Sequence, residues 1–380
     1  MRFSPAFVFF FLLPASFAQT YLVLPFANRT GQDDLNWVSE SMAESLGDAL
    51  DSGGLLVVDR AHREEAYRRL GLLPYARLTR ASAMKLGMAI DASVVVFGEI
   101  DWEENRLRIA ARIVEVKRLA AGGEYVTTGP LDDGFGALQA KLAWRILRDV
   151  NPNATPSESD YLRRFPPPAR EAIERYARGF LAPTDDARAA LWTLAAKSDP
   201  GYLPPAYALG KLYFARKQWQ EAALWLGRLN IQAPHGRDAL FHLGLARFHL
   251  ADYEAAAEAF AKIAQTVPLN EVFNNLGVAQ SRAGRREAIE SFRKALEGDE
   301  ADPVYHFNLG YELLKRGEGA QAADRFRAVL DRSPNDAEAI TLLGRSLKGG
   351  APTPGLERIK PNFDESAYLQ LRALIAKPAR

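Results

Sequence analysis

A chain of 380 residues, 48% hydrophobic and 25% charged, has material for two or three globular domains and is not a low-complexity sequence. Its formal net charge is +1, and both halves are near neutral: 16 Lys and Arg against 19 Asp and Glu over 19–150, then 31 against 28 over 151–380. That excludes the basic excess needed to neutralise many phosphates, so nucleic acid is not an expected partner.

The first 18 residues carry Arg2, then an apolar run from Ala6 to Leu13, then Ser16-Phe17-Ala18 with small residues at the −3 and −1 positions. This is the pattern of a secretory signal peptide cleaved after Ala18. A membrane anchor needs about 20 apolar residues, and Pro5 and Pro14 bracket a much shorter run. The mature chain is therefore expected to be exported and soluble, periplasmic or otherwise outside the cytoplasm. Cysteine is absent, so neither a disulfide nor a lipid anchor of the bacterial lipoprotein type is expected.

Residues 19–150 alternate strand and helix signals, which predicts a mixed sheet with helices packed on it. Thr20 to Phe26 is an apolar run closed by a turn at Asn28-Arg29-Thr30-Gly31. Trp37, Met42, Leu46 and Leu50 recur at helical spacing. Leu55 to Val58 reads as a buried strand, Arg60 to Leu70 as a charged helix, and Thr79 as the N-cap of a helix ending near Met88. Ser93 to Ile100 is rich in β-branched residues, and Leu107 to Val114 alternates with period two. Glu103-Glu104-Asn105 is the hairpin loop between them. A short strand at Glu124 to Thr128 and a helix from Phe135 to Val150 complete the unit.

Leu24-Pro25-Phe26, Asn28-x-Thr30-Gly31, Trp37, Val57-Val58-Asp59-Arg60, Asp91-Ala92 and the run Val94 to Ile100 form a set of landmarks. With Leu107 to Val114, they resemble the N-terminal domain of the TolB family and its flagellar FlgO-type and curli-export CsgG-type relatives. The resemblance implies an α/β module of the cell envelope that contacts other proteins and carries no catalytic residues. Asn151 to Pro168, ending in Pro166-Pro167-Pro168, reads as a stiffened linker.

From Leu203 one pattern recurs at a 34-residue spacing. Leu209-Gly210 is followed by Ala222, Leu226 and Pro234. Leu243-Gly244 is followed by Ala256, Phe260 and Pro268, and Leu309-Gly310 by Ala322, Phe326 and Pro334. Leu276-Gly277, with Ala288, Phe292 and Ala295, is one residue shorter on each side and lacks the proline. Gly and Ala let paired helices approach closely, the large apolar residue fills the gap, and Pro stops the second helix. This resembles the tetratricopeptide repeat. The α/β half is thus followed by an all-α solenoid over 169–348, of about five repeats with degenerate ends. Tyr176 to Gly179 opens the first copy, and Leu343-Gly344 starts a last one that fails at Gly349-Gly350. Over 349–380 a second linker leads to a helix at Asp364 to Ala376, read as a cap on the stack.

The first helix of each pair is expected to line a concave groove. Its lining is Tyr207, Lys211, Phe214, Phe241, His242, Leu245, Phe248, His249, Asn274, Asn275, Val278, Phe307, Asn308, Tyr311, Leu314 and Lys315. Aromatic and polar groups in such a groove suit an extended peptide or a helix of a protein partner. In some proteins of the resembled family, an asparagine ladder at the place of His242, Asn275 and Asn308 binds peptide backbone. The plainer reading, which the sequence favours, is that these groups satisfy helix-end or inter-repeat hydrogen bonds and the aromatics serve as core.

Catalytic alternatives find little support. Of the five histidines, His242 and His249 are seven apart but belong to no His-Glu-x-x-His motif, and no metal or other cofactor is expected. Asp132-Asp133 and Glu103-Glu104 read as loop carboxylates. Gly53-Gly54 precedes a strand rather than a helix, so it cannot offer helix-terminal amides to a phosphate. The expectation is a non-enzymatic exported scaffold for envelope assembly or secretion. The alternative is an oligomeric subunit of an envelope apparatus assembling through its α/β half.

Overall fold

A computed structural model describes residues 19–153 and 155–362, together with Asp364 and Ala367. The expected signal peptide, and nearly all of the expected C-terminal capping helix, lie outside these residues.

The N-terminal half is a six-stranded mixed sheet covered by helices on both faces. In chain order its elements are β1 (Thr20–Val23), β2 (Ala27–Asn28), α1 (Asn36–Ser52), β3 (Leu56–Val57), α2 (Arg60–Leu70) and α3 (Arg80–Ala89). Then follow β4 (Val94–Glu103), β5 (Arg106–Glu115), β6 (Ala120–Gly129) and α4 (Phe135–Val150). The strand order is β3-β1-β4-β5-β6, with β2 extending the pairing along β4. The β1 pairings are parallel, and β4, β5 and β6 form an antiparallel meander.

The period-two pattern sorts side chains between two cores. Tyr21, Val23, Val94, Val96, Ile109 and Ile113 join α1 and α4, whereas Leu22, Leu24, Val95, Phe97 and Val114 join α2 and α3. Thr79 caps α3, its Oγ1 accepting the Ser82 N–H at 3.1 Å. β6 starts four residues earlier than the sequence suggests. Its Ala120-Ala121-Gly122-Gly123 start has no apolar alternation, and its register is supplied by β5.

The stretch read as a linker is folded, which corrects that expectation. It contains α5 (Glu158–Arg164), capped by Ser157, whose Oγ accepts the Asp160 N–H. Tyr161 enters the sheet core, and Pro156 accepts a hydrogen bond from the Trp144 indole at 3.0 Å. Apolar burial of Tyr161 outweighs the Pro-Ser-Asn composition that suggested a free segment.

Among the described residues, five helix pairs follow, and then α16 (Ala337–Lys348). The pairs are α6 (Arg170–Leu181) with α7 (Asp185–Ser198), α8 (Pro204–Ala215) with α9 (Trp219–Leu226), and α10 (Gly236–His249) with α11 (Tyr253–Ala264). Next come α12 (Asn270–Arg282) with α13 (Ala288–Gly298) and α14 (Pro303–Lys315) with α15 (Gly319–Arg332). The repeated glycines sit where paired helices touch. A Cβ on Gly244 would lie 2.7 Å from the Phe260 ring, and one on Gly277 2.6 Å from that of Phe292. Hence Gly210, Gly244, Gly277 and Gly310 are each matched by a large residue in the next helix, whereas Gly344 of α16 meets none. α16 ends at Gly349, which takes the left-handed conformation (φ 76°) that a glycine C-cap adopts freely.

The halves share a core, since Ile173 and Ala177 of α6 pack with Trp37, Leu46 and Tyr161. Along α1, Glu40, Glu44, Asp48 and Asp51 form an acidic stripe facing cations. Arg63 reaches Glu40 at 2.7 Å and Glu44 at 3.0 Å, and Arg60 pairs with Glu40. At the far end of the stripe the His235 N–H donates to Asp51 at 2.9 Å, and its Nε2 lies 3.2 Å from Asp48. His235 adopts φ 56°, turning the loop before α10 towards α1.

Candidate functional site: the face of the first helices

Helices α8, α10, α12, α14 and α16 succeed one another along one side of the stack, and their polar side chains divide it into two regions. In the region of α8 and α10, Asp238 is the hub. Its Oδ2 accepts from the Tyr207 hydroxyl at 2.8 Å and from Lys211 Nζ at 3.1 Å, and lies 3.2 Å from His242 Nδ1. Burial alone would raise this carboxyl. The His242 hydrogen bond and the Lys211 charge outweigh it and hold Asp238 well below the usual carboxylate range. Phe214 lies edge-on to His242 at 4.8 Å and to Trp219 at 5.1 Å, and His249 stacks on Trp219 at 4.2 Å. Burial, with the nearby Lys217 charge, lowers the His249 pKa.

A group with a depressed folded-state pKa stabilises the fold above its unfolded pKa and loses that contribution as pH falls through the folded value. Asp238→Asn is therefore expected to lower the thermal midpoint at pH 7. The gap from the parent chain should begin to narrow as pH falls below about 4, where an unfolded aspartate takes up its proton, and go on narrowing towards the lower folded value. Calorimetry between pH 3 and 7 reads this directly; a gap independent of pH would contradict the charge assignment.

In the region of α12, α14 and α16, the face holds a segment of the chain itself. After Gly349 the backbone turns back and runs extended across these helices, from their C-terminal ends towards their N-terminal ends. Tyr311 donates its hydroxyl to the Thr353 carbonyl at 2.7 Å and accepts the Gly355 N–H at 3.0 Å. Asn308 brackets Arg358, its Oδ1 accepting the Arg358 N–H and its Nδ2 donating to the Arg358 carbonyl, both at 2.7 Å. Asn274 donates to the same carbonyl at 3.0 Å. Asn275 brackets Lys360 in the same double manner, both bonds 2.8 Å. Residues 358 and 360 are alternate positions of an extended chain, which present their amides to one edge.

The reading the sequence favoured for these asparagines is therefore incomplete. One inter-repeat bond exists, Asn308 Nδ2 to Asn274 Oδ1 at 2.7 Å, but Asn274, Asn275 and Asn308 also hold main chain as a ladder. His242, at the corresponding place in α10, instead joins the Asp238 hub.

Side chains of the segment are also received. Glu357, 2% exposed, pairs with Arg282 at 2.6 Å and accepts the Ser281 hydroxyl at 2.8 Å, with Lys315 at 3.8 Å. Arg358 grips Asp336 through both nitrogens at 2.6 and 2.9 Å, reaches Glu338 at 2.8 Å, and stacks its guanidinium 3.5 Å over the Phe307 ring. The Arg358 hydrogen bond lowers the Asp336 carboxyl below its ordinary pKa. Lys360 Nζ donates to Asp302 at 2.6 Å and lies 4.9 Å from the Tyr305 ring, and Ile359 packs against the apolar clusters on either side.

Of the expected lining residues, Tyr207, Lys211, Phe214, His242 and His249 come together in the first region. Asn274, Asn275, Phe307, Asn308, Tyr311 and Lys315 come together in the second. Phe248 is half-buried between the regions, with the Arg282 guanidinium 5.7 Å from its ring. Phe241, Leu245, Val278 and Leu314 are core residues rather than free lining, which corrects the expectation for them. Their exposures are 0%, 2%, 0% and 4%, and Phe241 lies edge-on to Phe260 at 5.6 Å. Sequence reasoning missed Asp238, Ser281, Arg282, Asp302 and Asp336, together with the whole segment 353–360. Nothing in the repeat pattern marks those polar positions, and Pro352-Thr353-Pro354-Gly355 reads only as a loop. Among the described residues, no cluster of three or more His, Asp and Glu side chains is placed to hold a metal ion. No described helix is long and apolar enough to cross a membrane.

Residues 238–270, which span α10 and α11, match the family model for the tetratricopeptide repeat. No curated protein matches the chain in sequence. Among solved structures, MamA from residue 41 onward, from Desulfovibrio magneticus RS-1, is 17% identical over 44% of this chain and 95% of that one, with a TM-score of 0.38. YrrB, described as a tetratricopeptide protein with an unusual peptide-binding site, is 18% identical over 50% of this chain and 95% of that one, with a TM-score of 0.37. The C-terminal domain of LpoB from Escherichia coli is 21% identical over 29% of this chain and 82% of that one, with a TM-score of 0.25. The helix pair α10–α11 is thus a tetratricopeptide-type repeat, set in a helical repeat region.

Proposed function

We propose that this chain is an exported docking protein that captures an extended segment of a protein partner on the face of its first helices, in cell-envelope assembly or secretion. The observation that carries the docking role is the asparagine ladder, in which Asn275 and Asn308 each pair with both the N–H and the C=O of one extended residue. Such pairing is indifferent to side-chain identity and supplies affinity, while neighbouring charges and rings supply selectivity. The leader-like first 18 residues support export. The landmarks resembling TolB-type domains support an envelope setting. The α/β half would then serve as a rigid base, joined to the stack by a common core.

A photo-crosslinking amino acid placed at Phe214 of the full chain, in cells that produce it, tests this reading. Phe214 is half-buried beside His242, so a partner seated on the first region would be within reach. Adducts with discrete proteins in the extracytoplasmic fraction are expected, and they should be lost on Lys211→Ala. Adducts confined to the cytoplasm would sink the export claim, and none at all would sink the docking claim. A large closed ring on native mass measurement would favour the apparatus-subunit role instead.

A further inference from the structure

We infer that residues 353–360 are a resident ligand of the groove on α12, α14 and α16, and that this site selects extended partner segments of the pattern acidic–basic–apolar–basic. The inference rests on the docking reading and deepens it by naming the ligand chemistry and the competitor. Three observations point the same way. The segment is bound as peptide ligands are bound, through its main chain to side-chain amides at alternate residues. Each successive side chain has a receptor of matching chemistry. Arg282, Ser281 and Lys315 receive Glu357; Asp336, Glu338 and Phe307 receive Arg358; apolar clusters receive Ile359; Asp302 and Tyr305 receive Lys360. The connection to α16 is also short. Only residues 349–352 separate the helix from Thr353, whose carbonyl is bonded by Tyr311 of α14, so the tail is held close to its site.

A tether of this length gives an effective concentration on the order of millimolar, so the tail shields the groove from weak or mismatched peptides. A partner must carry the same charge order and bind well enough to displace it. The helix face alone would not fix that order. Arg282 and Lys315 face Glu357, with the Glu312 carboxylate sharing Ser281 and Lys315, whereas Asp336 and Glu338 face Arg358; an exchanged Glu-Arg pair would set a guanidinium against Arg282 and a carboxylate against Asp336 and Glu338. The first region, around Asp238, is not covered by residues 353–360, and a longer partner segment could engage it while the tail is being displaced.

The test uses a fluorescein-labelled peptide of residues 351–364 and the full mature chain. The parent should bind it weakly. A variant carrying Glu357→Ala, Arg358→Ala and Lys360→Ala in its own tail should bind about tenfold more tightly or better, because the competitor is weakened. Adding Asn274→Ala and Asn308→Ala to that variant should abolish binding, and a peptide with Glu357 and Arg358 exchanged should not bind. Circular dichroism checks each fold, and Arg358→Ala alone replaces the triple variant if that one does not fold. No peptide binding by a folded tail variant would show that the tail is a structural strap and overturn the inference. Equal binding to parent and variant would overturn the competition, and equal binding of the exchanged peptide would overturn the charge order. A dimer by sedimentation, dissolved by the tail substitutions, would assign the segment to a second copy's groove and overturn the intramolecular reading. Peptide binding without cellular adducts at Phe214 would leave this inference standing and remove the docking role; adducts without peptide binding would do the reverse.

Discussion

Arg63→Ala is expected to lower the stability of the chain by about 3 kcal/mol at pH 7, read as a shift in the urea unfolding curve. Arg63 is nearly inaccessible, its side chain 6% exposed, and it donates to the Val23 carbonyl at 3.2 Å as well as pairing with Glu40 and Glu44. Glu40 is more deeply enclosed, at 2%. Breaking a buried pair by removing one member typically costs about 3–5 kcal/mol, because the remaining charge stays out of water without its partner. Arg60 and the Tyr75 hydroxyl still reach Glu40, which places the expectation at the lower end.

The pH dependence of Arg63→Ala follows from the same geometry. Burial would raise the Glu40 carboxyl, but the charges of Arg63 and then Arg60 outweigh it and hold the carboxyl below its ordinary value. A depressed folded pKa gives stability that is present above the unfolded value, about 4.3 for glutamate, and is lost as pH falls through the folded value. The difference between Arg63→Ala and the parent should accordingly be larger at pH 7 than at pH 4. A loss under about 0.5 kcal/mol at neutral pH would mean that Arg60 alone satisfies the site and that the buried-pair account is wrong.

The features legible in the sequence were those that repeat or alternate. Leu107, Ile109, Ala111 and Ile113 announce a strand because a sheet face is read every second residue. Leu-Gly with a partner Phe announces a helix pair because the close approach leaves no room for a Cβ at Gly244 or Gly277. Tertiary choices without a period were not legible. Tyr161 lies in a Pro-rich stretch that looks free, yet its ring finds the core beneath α1. Glu40, Glu44 and Asp48 look like one solvated face of a helix, and only the fold reveals that α2 and the loop before α10 bring cations to them. The groove was half visible. The asparagines occupied the right places, but whether they hold neighbouring helices or a bound chain depends on where residues 353–360 travel. Their local sequence does not encode that path. For Phe241 the spacing pointed at the groove, although the ring points into the core.

That last residue supplies the other large effect. Phe241→Ala is expected to destabilise the chain by about 3–5 kcal/mol, the usual result of emptying a buried phenylalanine site. Its ring is fully enclosed and lies edge-on to Phe260, the large residue that fills the space beside Gly244. Truncation therefore opens the contact that holds α10 to α11. In a stacked repeat, stability is shared mainly between neighbours, so the loss should spread first to the adjoining pairs α8–α9 and α12–α13. Hydrogen exchange should show α10 to α12 losing protection while the sheet strands keep theirs. Phe248→Ala is the matched control, since that ring is half-buried against Tyr253 and beneath Arg282. It should cost about 1 kcal/mol, as partly exposed contacts do. Reduced peptide capture by Phe241→Ala would then be a consequence of local unfolding and should recover at lower temperature, whereas an unchanged unfolding curve with lost capture would place Phe241 in the groove after all.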